Sequence, residues 1–405
     1  MTRFILFTFV IFQLNEAAAQ YKNDNVLFKT VFPKDLCKAF ESNPGYLLLD
    51  VRSSGEYNDT SASTGLNLGH LEAAKNIDIR EVGRRLNEIA DYKNKPVFVY
   101  CSHSQRSRRV SKMLADSGFT NVNNINGGMT AIQLLDEVQG ACLRSKIISA
   151  NAYSIVSPSA VCNRLSGKSN RVYLLDVRAD SAWDHLAQNA KMNAYGYLKG
   201  TKHIALANLK SRLQEIPRDK EIIITDLFGN EAAVAAQLLM QNNFEHVSAM
   251  LEGFDRWILS DASCNKEFYI SAAPYSIMGS IEFSKYYPTA KNPLILDIRS
   301  DDEFENRHAD SYRNIGHLKN AIHISSSELV NRIKEIEKYK SAPVIVYGFS
   351  GSAEAYMSAS LLASKGFKDV KLLSGGLFNL RWTASNVEGL YFMHDWVENV
   401  PEENK

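Results

Sequence analysis

A cysteine followed five positions later by an arginine is the pairing in this sequence best suited to chemistry. Cys101 comes directly after the apolar run Val97–Tyr100, and Arg106 lies in the polar stretch that follows. A cysteine between a buried strand and the start of a helix faces unpaired backbone N–H groups and the positive end of the helix dipole, which favour its thiolate form. A guanidinium beside that thiolate could hold an anion by two hydrogen bonds. The pattern therefore predicts a nucleophilic thiolate that reacts with an anionic substrate.

The strand before Cys101 belongs to a unit that occurs three times in the chain. Each copy opens with an apolar strand that ends in Asp-x-Arg, at Leu47–Arg52, Leu174–Arg178 and Leu294–Arg299. Each copy then has a Gly-His-Leu or Gly-Tyr-Leu turn, a second apolar strand, a helix, a third strand and a closing glycine. The same order and spacing in all three copies indicates one domain repeated in tandem.

Short runs rich in Val and Ile alternate with helical segments inside each copy. In the first copy, a helix is predicted over 104–117, ending at Gly118, and another strand is predicted from Val122. Such runs are typical of buried parallel strands in α/β units. The sequence therefore predicts an α/β fold of three tandem modules, each a mainly parallel sheet flanked by helices, over residues 27–140, 152–262 and 276–390. Linkers are predicted near 140–152 and 262–276.

Length, composition and charge exclude several classes of protein. The 405 residues suit several domains, and 45% hydrophobic with 22% charged residues is typical of a globular chain and not of a disordered or polytopic membrane protein. The net charge of +1 offers no overall field that would attract nucleic acid. The nine histidines show no metal-ligand spacing. We expect no cofactor, no metal and no nucleic-acid partner, and any anion site must be local.

The first residues resemble a secretory signal peptide. Arg3 is followed by the apolar run Phe4–Leu14 and then by Ala17–Ala19. The apolar run is about half of the ~20 residues needed to span a bilayer, and small residues follow it. Residues 1–19 are therefore predicted to be cleaved after Ala19, which would leave an exported, periplasmic or secreted protein without stable membrane insertion. The alternative is an N-terminal anchor or a frayed helix.

Taken together, the Asp-x-Arg strand end, the turn Gly69–Leu71, the loop Cys101–Ser107 and the closing pair Gly127–Gly128 resemble the rhodanese family. The resemblance covers nearly all of the chain after residue 19, as three rhodanese-like modules. It implies that Cys101 takes sulfur from a small anionic donor such as thiosulfate and passes it from a persulfide to cyanide, a thiol or an acceptor protein. It also implies substrate-binding roles for the other loop residues, which are Ser102, His103, Ser104, Gln105, Arg106 and Ser107.

One loop residue departs from the family pattern. The fourth loop position is often glycine in single-module rhodaneses, and it is Ser104 here. Serine is small, so we expect the loop to close, although serine tolerates a positive φ less well than glycine does.

The second and third copies lack the reactive pair. The position of the cysteine is taken by Asp226 and Gly348, and the position of the arginine by Glu231 and Ala353. Only the first module is therefore predicted to be active. The Asp-x-Arg pair persists in all copies and the Gly-His turn recurs in the third, so residues kept without the nucleophile are predicted to be structural. In the first module these are Asp50, Arg52 and His70.

Two other functions remain open. Related modules with Cys-x-x-x-x-x-Arg hydrolyse phosphate esters, but Cys101 and Arg106 enclose four residues instead of five, so the loop should be too tight for a phosphoryl group. The other alternative is an exported binding or scaffold protein with little or no catalysis. The two copies without a nucleophile favour that alternative, which is also compatible with an active first module.

The four remaining cysteines form two matching pairs. Cys37 and Cys162 precede the Asp-x-Arg strand of their copies, and Cys142 and Cys264 follow the closing glycine. The third copy has neither cysteine, so the two positions are occupied together or not at all. This pattern predicts the disulfides Cys37–Cys142 and Cys162–Cys264, with Cys101 free. The alternative is four reduced thiols in a cytosolic protein.

Overall fold

The structure, a computed structural model, describes residues 27–136, 138–167, 171–260 and 265–402. These residues form three five-stranded parallel sheets, one in each repeat, together with flanking helices. The strand order is the same in each sheet: the first strand lies at one edge, followed by the closing strand, the strand before the loop, the Asp-x-Arg strand and a short edge strand. The predicted α/β fold of three tandem modules is confirmed. The predicted signal peptide lies outside the described residues.

The first module has strands at Lys29–Val31, Leu47–Asp50, His70–Leu71, Lys75–Asn76, Val97–Tyr100, Val122–Ile125 and Ile147–Ile148; α-helices at Leu36–Ser42, Ser54–Tyr57, Ile79–Val82, Gln105–Asp116, Gly128–Leu134 and Ala141–Arg144; and 3-10 helices at Pro33–Asp35, Thr64–Leu66 and Leu86–Tyr92. The second has strands at Ser154–Val156, Val172–Asp176, Tyr197–Leu198, Lys202–His203, Glu221–Thr225, Val247–Met250 and Tyr269–Ile270; α-helices at Pro158–Ser166, Asp180–Trp183, Ala190–Ala194, Leu206–Leu209, Asn230–Gln241, Gly253–Leu259 and Asn265–Phe268; and a 3-10 helix at Leu213–Glu215. The third has strands at Ser276–Met278, Leu294–Asp297, His317–Leu318, Ile322–His323, Pro343–Tyr347, Asp369–Leu373 and Val397–Glu398; α-helices at Ser280–Tyr286, Asp301–Phe304, Leu329–Arg332, Ala353–Ser364 and Gly376–Asn386; and 3-10 helices at Tyr287–Thr289, Ser311–Arg313, Ile333–Tyr339 and Tyr391–Trp396.

The strand that carries Cys101 at its end lies in the middle of its sheet. All four residues of Val97–Tyr100 are buried, and the strand pairs on one side with the closing strand and on the other with the Asp-x-Arg strand. The helix Gln105–Asp116 follows after a short loop and ends just before Gly118, whose φ of +87° is a conformation that glycine adopts without strain. Cys101 is therefore held between a central strand and the start of a three-turn helix.

A buried ion pair closes each Asp-x-Arg strand. Arg52 Nη2 donates hydrogen bonds of 2.7 Å to Asp50 Oδ2 and of 2.7 Å to the carbonyl oxygen of Gly69, and both charged side chains are fully buried. The pair thus ties the end of the strand to the following turn, which supports the structural roles predicted for Asp50 and Arg52. The same arrangement recurs in Asp176 and Arg178 with Gly196, and in Asp297 and Arg299 with Gly316.

Each module ends in a tail that returns to its own glycine turn. The tails form two-residue antiparallel pairings, His70–Leu71 with Ile147–Ile148, Tyr197–Leu198 with Tyr269–Ile270 and His317–Leu318 with Val397–Glu398. These strands lie past the predicted module ends, and the first two fall inside the segments predicted as linkers. The modules are longer than the sequence indicated, because a two-residue strand leaves no periodic pattern to detect.

The tail of the first module is also joined covalently to its first helix. Cys37 in the helix Leu36–Ser42 and Cys142 in the helix Ala141–Arg144 form the predicted disulfide, and Cys101 is a free thiol. Cys162 is disulfide-bonded as well, and its predicted partner Cys264 lies outside the described residues.

The second and third modules share one hydrophobic core, and the first module packs against both. Tyr195 from the second module and Tyr356 from the third lie in this core, with hydroxyl oxygens 3.3 Å apart. The first module reaches the third through Arg108, whose Nη2 donates a 2.8 Å hydrogen bond to Asn386 Oδ1. Because Arg108 lies on the helix that follows Cys101, the start of that helix is close to the junction of the three modules.

The described part of the chain contains no helix that is both long and apolar enough to cross a membrane. In the same ranges, no three His, Cys, Asp or Glu side chains come close enough together to hold a metal ion.

Candidate active site

The thiol of Cys101 is buried at the bottom of its loop. Only 1% of the residue is exposed, and its carbonyl oxygen accepts a 2.9 Å hydrogen bond from the N–H of Met129. The backbone N–H of Ser104 donates to Cys101 Sγ at 3.1 Å, and Ser107 Oγ lies 3.6 Å from the same sulfur. The loop therefore encloses the sulfur and aims a backbone donor at it, which is the arrangement that stabilises negative charge on sulfur.

Ser104 adopts the backbone conformation in which glycine would be unstrained. Its φ is +87°, and its side chain forms hydrogen bonds with Asn126 Oδ1, at 3.2 Å, and with the N–H of Gly127. The loop closes with serine at this position, as expected. The positive φ costs on the order of 1–2 kcal/mol in a non-glycine residue, and the two hydrogen bonds of the hydroxyl offset part of that cost.

Arg106 is bound to a carboxylate of its own module. Its Nη1 and Nη2 each lie 2.6 Å from an oxygen of Glu56, and Nη2 also donates a 2.8 Å hydrogen bond to Ser102 Oγ. Burial opposes the charge of Glu56, but Arg106 and Ser53 outweigh it and lower the pKa of that carboxyl. The bidentate contact predicted for Arg106 is therefore made to the carboxylate of Glu56, whereas the sequence predicted a substrate anion as its partner.

Glu56 was not predicted as a site residue, although the sequence carries a signal for it. Its side chain accepts hydrogen bonds from the N–H and the hydroxyl of Ser53 and so caps the helix Ser54–Tyr57. The same Ser-x-x-Glu cap recurs in the third module as Ser300 and Glu303, where Arg313 provides the positive charge. The recurring cap identifies Glu56 as a buried carboxylate that needs a cation, but only the folded chain shows that the cation is Arg106.

The second module contacts the loop of the first module at His103. His103 Nδ1 lies 3.0 Å from Ser102 Oγ, and Nε2 lies 3.1 Å from Thr130 Oγ1. The same Nε2 forms a hydrogen bond with Glu252, which belongs to the second module. Glu252 was not singled out in the sequence, because a contact across 149 residues leaves no local pattern.

The corresponding loop of the second module shows what this backbone arrangement favours. There Asp226 replaces the cysteine, and its carboxylate accepts backbone N–H groups from Gly229 at 2.6 Å, Glu231 at 2.8 Å and Ala232 at 3.3 Å. Burial nevertheless outweighs these donors and raises the pKa of Asp226 to about 7. The donor from Gly229 corresponds in position to the one from Ser104, so the loop geometry directs N–H groups at an acidic side chain in both modules.

The remaining loop residues face different surroundings. Gln105 is exposed at the start of the helix, whereas Ser107 is buried and its hydroxyl donates to the Ser104 carbonyl at 3.0 Å. His103 and Gln105 also line a cleft of about 240 Å³ between the modules. Its other walls include Arg256 from the second module and the aromatic side chains of Phe378 and Trp382 from the third.

His70, predicted to be structural, lies at the glycine turn. Its ring stacks on Tyr57 with centroids 3.8 Å apart, and its Nδ1 lies 2.9 Å from the Tyr57 carbonyl oxygen. These contacts join the turn to the helix Ser54–Tyr57, which supports a structural role.

Comparison with known proteins gives a family match in each of the three modules. A family model described as a rhodanese-like domain matches residues 33–135, 157–260 and 284–381. The uncharacterized protein YqhL of Bacillus subtilis (strain 168) is 29% identical over 124 residues, which cover 31% of this chain and 84% of that protein. The tRNA uridine(34) hydroxylase of Buchnera aphidicola subsp. Baizongia pistaciae is 29% identical over 100 residues, 24% of this chain and 29% of that protein. The thiosulfate sulfurtransferase PspE of Escherichia coli (strain K12) is 34% identical over 58 residues, 14% of this chain and 56% of that protein.

Proposed function

The chain belongs to the rhodanese family, and on that premise we propose that it is a sulfurtransferase that carries sulfur on Cys101 as a persulfide. The observation that carries the proposal is the Ser104 N–H, which donates to Cys101 Sγ at 3.1 Å inside a closed loop at a helix start. The similarity to PspE, which covers 56% of that thiosulfate sulfurtransferase, supports a donor such as thiosulfate.

In the first half-reaction, the Cys101 thiolate attacks the outer sulfur of the donor. A new S–S bond forms at Cys101, the S–S bond of thiosulfate breaks, and sulfite leaves with the electron pair of that bond. The persulfide then carries the negative charge on its terminal sulfur. Backbone N–H groups of the loop and the start of the helix Gln105–Asp116 stabilise that charge, as they stabilise the thiolate.

In the second half-reaction, an acceptor thiolate or cyanide attacks the terminal sulfur. The bond to the acceptor forms, the persulfide S–S bond breaks, and the Cys101 thiolate is regenerated. We propose that the acceptor enters the cleft that His103, Gln105 and Trp382 help to line. An aromatic wall and a polar loop suit an organic thiol, or the thiol of an acceptor protein, better than a fully hydrated ion.

Modules two and three favour a second candidate function, that of a binding or scaffold protein. They lack the nucleophile, and a protein that only binds partners through its modules would need none.

Export is proposed on separate grounds, from the pattern of residues 1–19, and the Cys37–Cys142 disulfide supports it. Sequencing the N-terminus of the protein from its native compartment tests export, since cleavage should expose Gln20.

Mass spectrometry of the intact full chain after incubation with thiosulfate tests the sulfurtransferase proposal. The parent protein should gain one sulfur and should form thiocyanate when cyanide is added. The Cys101→Ser variant should gain none and form none, while its circular dichroism and melting temperature stay close to those of the parent. No sulfur adduct on the parent protein would move the assignment to a binding protein, and full activity of Cys101→Ser would remove Cys101 from the site.

A further inference from the structure

We propose that Glu252, a residue of the inert second module, is a positioning residue for the reaction at Cys101. It acts through His103, and it holds the loop in the conformation that aims a backbone donor at the sulfur. The inference deepens the proposed sulfur transfer and rests on Cys101 as its nucleophile.

The first observation is the place of Glu252 in its own module. Gly127 and Gly375 occupy the same position in the other two modules, as the first residue of the pair that follows the closing strand, with φ of +72° and +78°. Glu252 has a φ of +52°, in the left-handed region that disfavours residues with a side chain. The second module therefore carries a carboxylate at a backbone position where glycine would be less strained.

The second observation is a chain of hydrogen bonds that terminates at the carboxylate of Glu252. Arg106 Nη2 donates to Ser102 Oγ at 2.8 Å, Ser102 Oγ lies 3.0 Å from His103 Nδ1, and His103 Nε2 is hydrogen-bonded to Glu252 Oε1. With the proton of His103 on Nε2, the Ser102 hydroxyl donates to Nδ1 and Nε2 donates to Glu252. Thr130 Oγ1, 3.4 Å from the same oxygen, completes the surroundings of Glu252 Oε1.

The third observation is that Glu252 is held ionised. Its other oxygen, Oε2, accepts a 2.6 Å hydrogen bond from Arg256 Nε, one turn further along its own helix. Burial opposes the charge, but Arg256 and His103 outweigh it and lower the pKa of Glu252 to about 2. A charged acceptor binds the His103 N–H more strongly than a neutral one, so the hydrogen bond to Glu252 holds the imidazole ring in place.

These contacts matter to Cys101 because His103 and Ser104 share a peptide bond. The N–H that donates to Cys101 Sγ belongs to that bond, so fixing the side chain of His103 restricts the rotation of the donor. The second module, which has lost its own nucleophile, in this way supplies a residue to the active loop of the first.

The test uses three variants of the full chain. Glu252→Gly removes the carboxylate and installs the residue type of the other two modules, so the backbone tolerates it. Glu252→Gln keeps a carbonyl acceptor for His103 without the charge. Asn230→Ala is the matched control, because it removes a different contact between the same two modules, the 3.0 Å hydrogen bond from the Gly65 N–H to Asn230 Oδ1.

The readout is the rate constant for alkylation of Cys101 by iodoacetamide, recorded with the melting temperature of each variant. We expect Glu252→Gly to lower the rate constant on the order of tenfold, Glu252→Gln to recover most of that loss, and Asn230→Ala to match the parent. The inference is overturned if Glu252→Gly reacts like the parent, if Glu252→Gln is as slow as Glu252→Gly, or if Asn230→Ala slows Cys101 equally. Alkylation needs no sulfur donor, so failure of the parent to form a persulfide would count against sulfur transfer alone.

Discussion

Both Nη atoms of Arg106 lie 2.6 Å from the carboxylate of Glu56, so the cation of the active loop is bound to a helix cap of the same module. Glu56 is only 4% exposed, so the pair lies largely out of contact with water on the carboxylate side. The guanidinium is thereby fixed beside the loop, and under the proposed sulfur transfer the backbone donors would be the main groups that bind the anionic donor at the sulfur.

Replacing Glu56 by Gln should impair both stability and reactivity. The variant leaves Arg106 without its charged partner, which should cost about 1–3 kcal/mol of unfolding free energy. The pKa of Glu56 is lowered in the folded protein, so the pair stabilises the fold fully above the ordinary Glu pKa, and this contribution declines below that pKa and is lost as pH falls through the lowered pKa of the folded state. Urea unfolding at pH 7 and pH 4 should show a smaller difference between variant and parent at the lower pH.

Glu303→Gln is the matched control for that prediction. Glu303 forms the same cap in the third module and pairs with Arg313. It should lose stability without any change in the alkylation of Cys101. Equal loss of alkylation in both variants would show that Glu56 acts only through general stability.

The second module should not become active through a single substitution. On a Cys101→Ser background, Asp226→Cys places a thiol among the N–H groups that now face the Asp226 carboxylate. Glu231 stands where the first module has Arg106, and a carboxylate near a thiolate disfavours its formation. Thiosulfate:cyanide transfer should stay at least about 100-fold below the parent, as about 1.4 kcal/mol of lost stabilisation already gives tenfold and the cation is also missing. Transfer at the parental rate would contradict the assignment.

Asp226 should make the stability of the second module dependent on pH. Its folded-state pKa is raised by burial from 3.8 to about 7, so the native chain binds more protons than the unfolded chain between these values. Its contribution to stability is therefore full below the ordinary Asp pKa and is lost as pH rises through about 7. Asp226→Asn cannot ionise, so its stability relative to the parent should rise by roughly 2–3 kcal/mol between pH 5 and pH 8. Unfolding in urea at the two pH values measures this, and an equal difference at both would count against it.

The disulfide of the first module should stabilise the fold without affecting chemistry. Cys37 and Cys142 are 105 residues apart in sequence, and joining them restricts the unfolded chain. The double variant Cys37→Ala, Cys142→Ala should lose about 2–4 kcal/mol of unfolding free energy. Persulfide formation at 25 °C should equal that of the parent. A melting temperature unchanged in the variant would show that the bond does not form in the native protein.

The aromatic wall of the cleft should affect binding of the sulfur acceptor and should not affect the reaction with the sulfur donor. Trp382→Ala removes an indole ring from the lining of the cleft that also contains His103 and Gln105. We expect the KM for an organic thiol acceptor to rise about tenfold, which corresponds to ~1.4 kcal/mol, with an unchanged rate of persulfide formation from thiosulfate. A slower first half-reaction with an unchanged KM would place the acceptor elsewhere.

Features that lie within one short stretch of a repeated unit could be predicted from the amino-acid sequence. The strand that ends at Cys101, the loop, the following helix and the glycine stop are contiguous, so their pattern is legible and three copies show it three times. The pairing of Cys37 with Cys142 was also predictable, because the third copy lacks both residues. Local backbone preferences and internal comparison were enough for these features.

Which distant side chains meet at the loop became clear from the folded chain alone. Arg106 meets Glu56 across the interior of its module, and His103 meets Glu252 across the contact between two modules. The cleft at Trp382 exists because the second and third modules share a core and the first packs on both. Such contacts depend on how separate segments and whole modules pack. Sequence periodicity indicates which face of a helix or strand is buried, but it does not show which distant side chains will meet there.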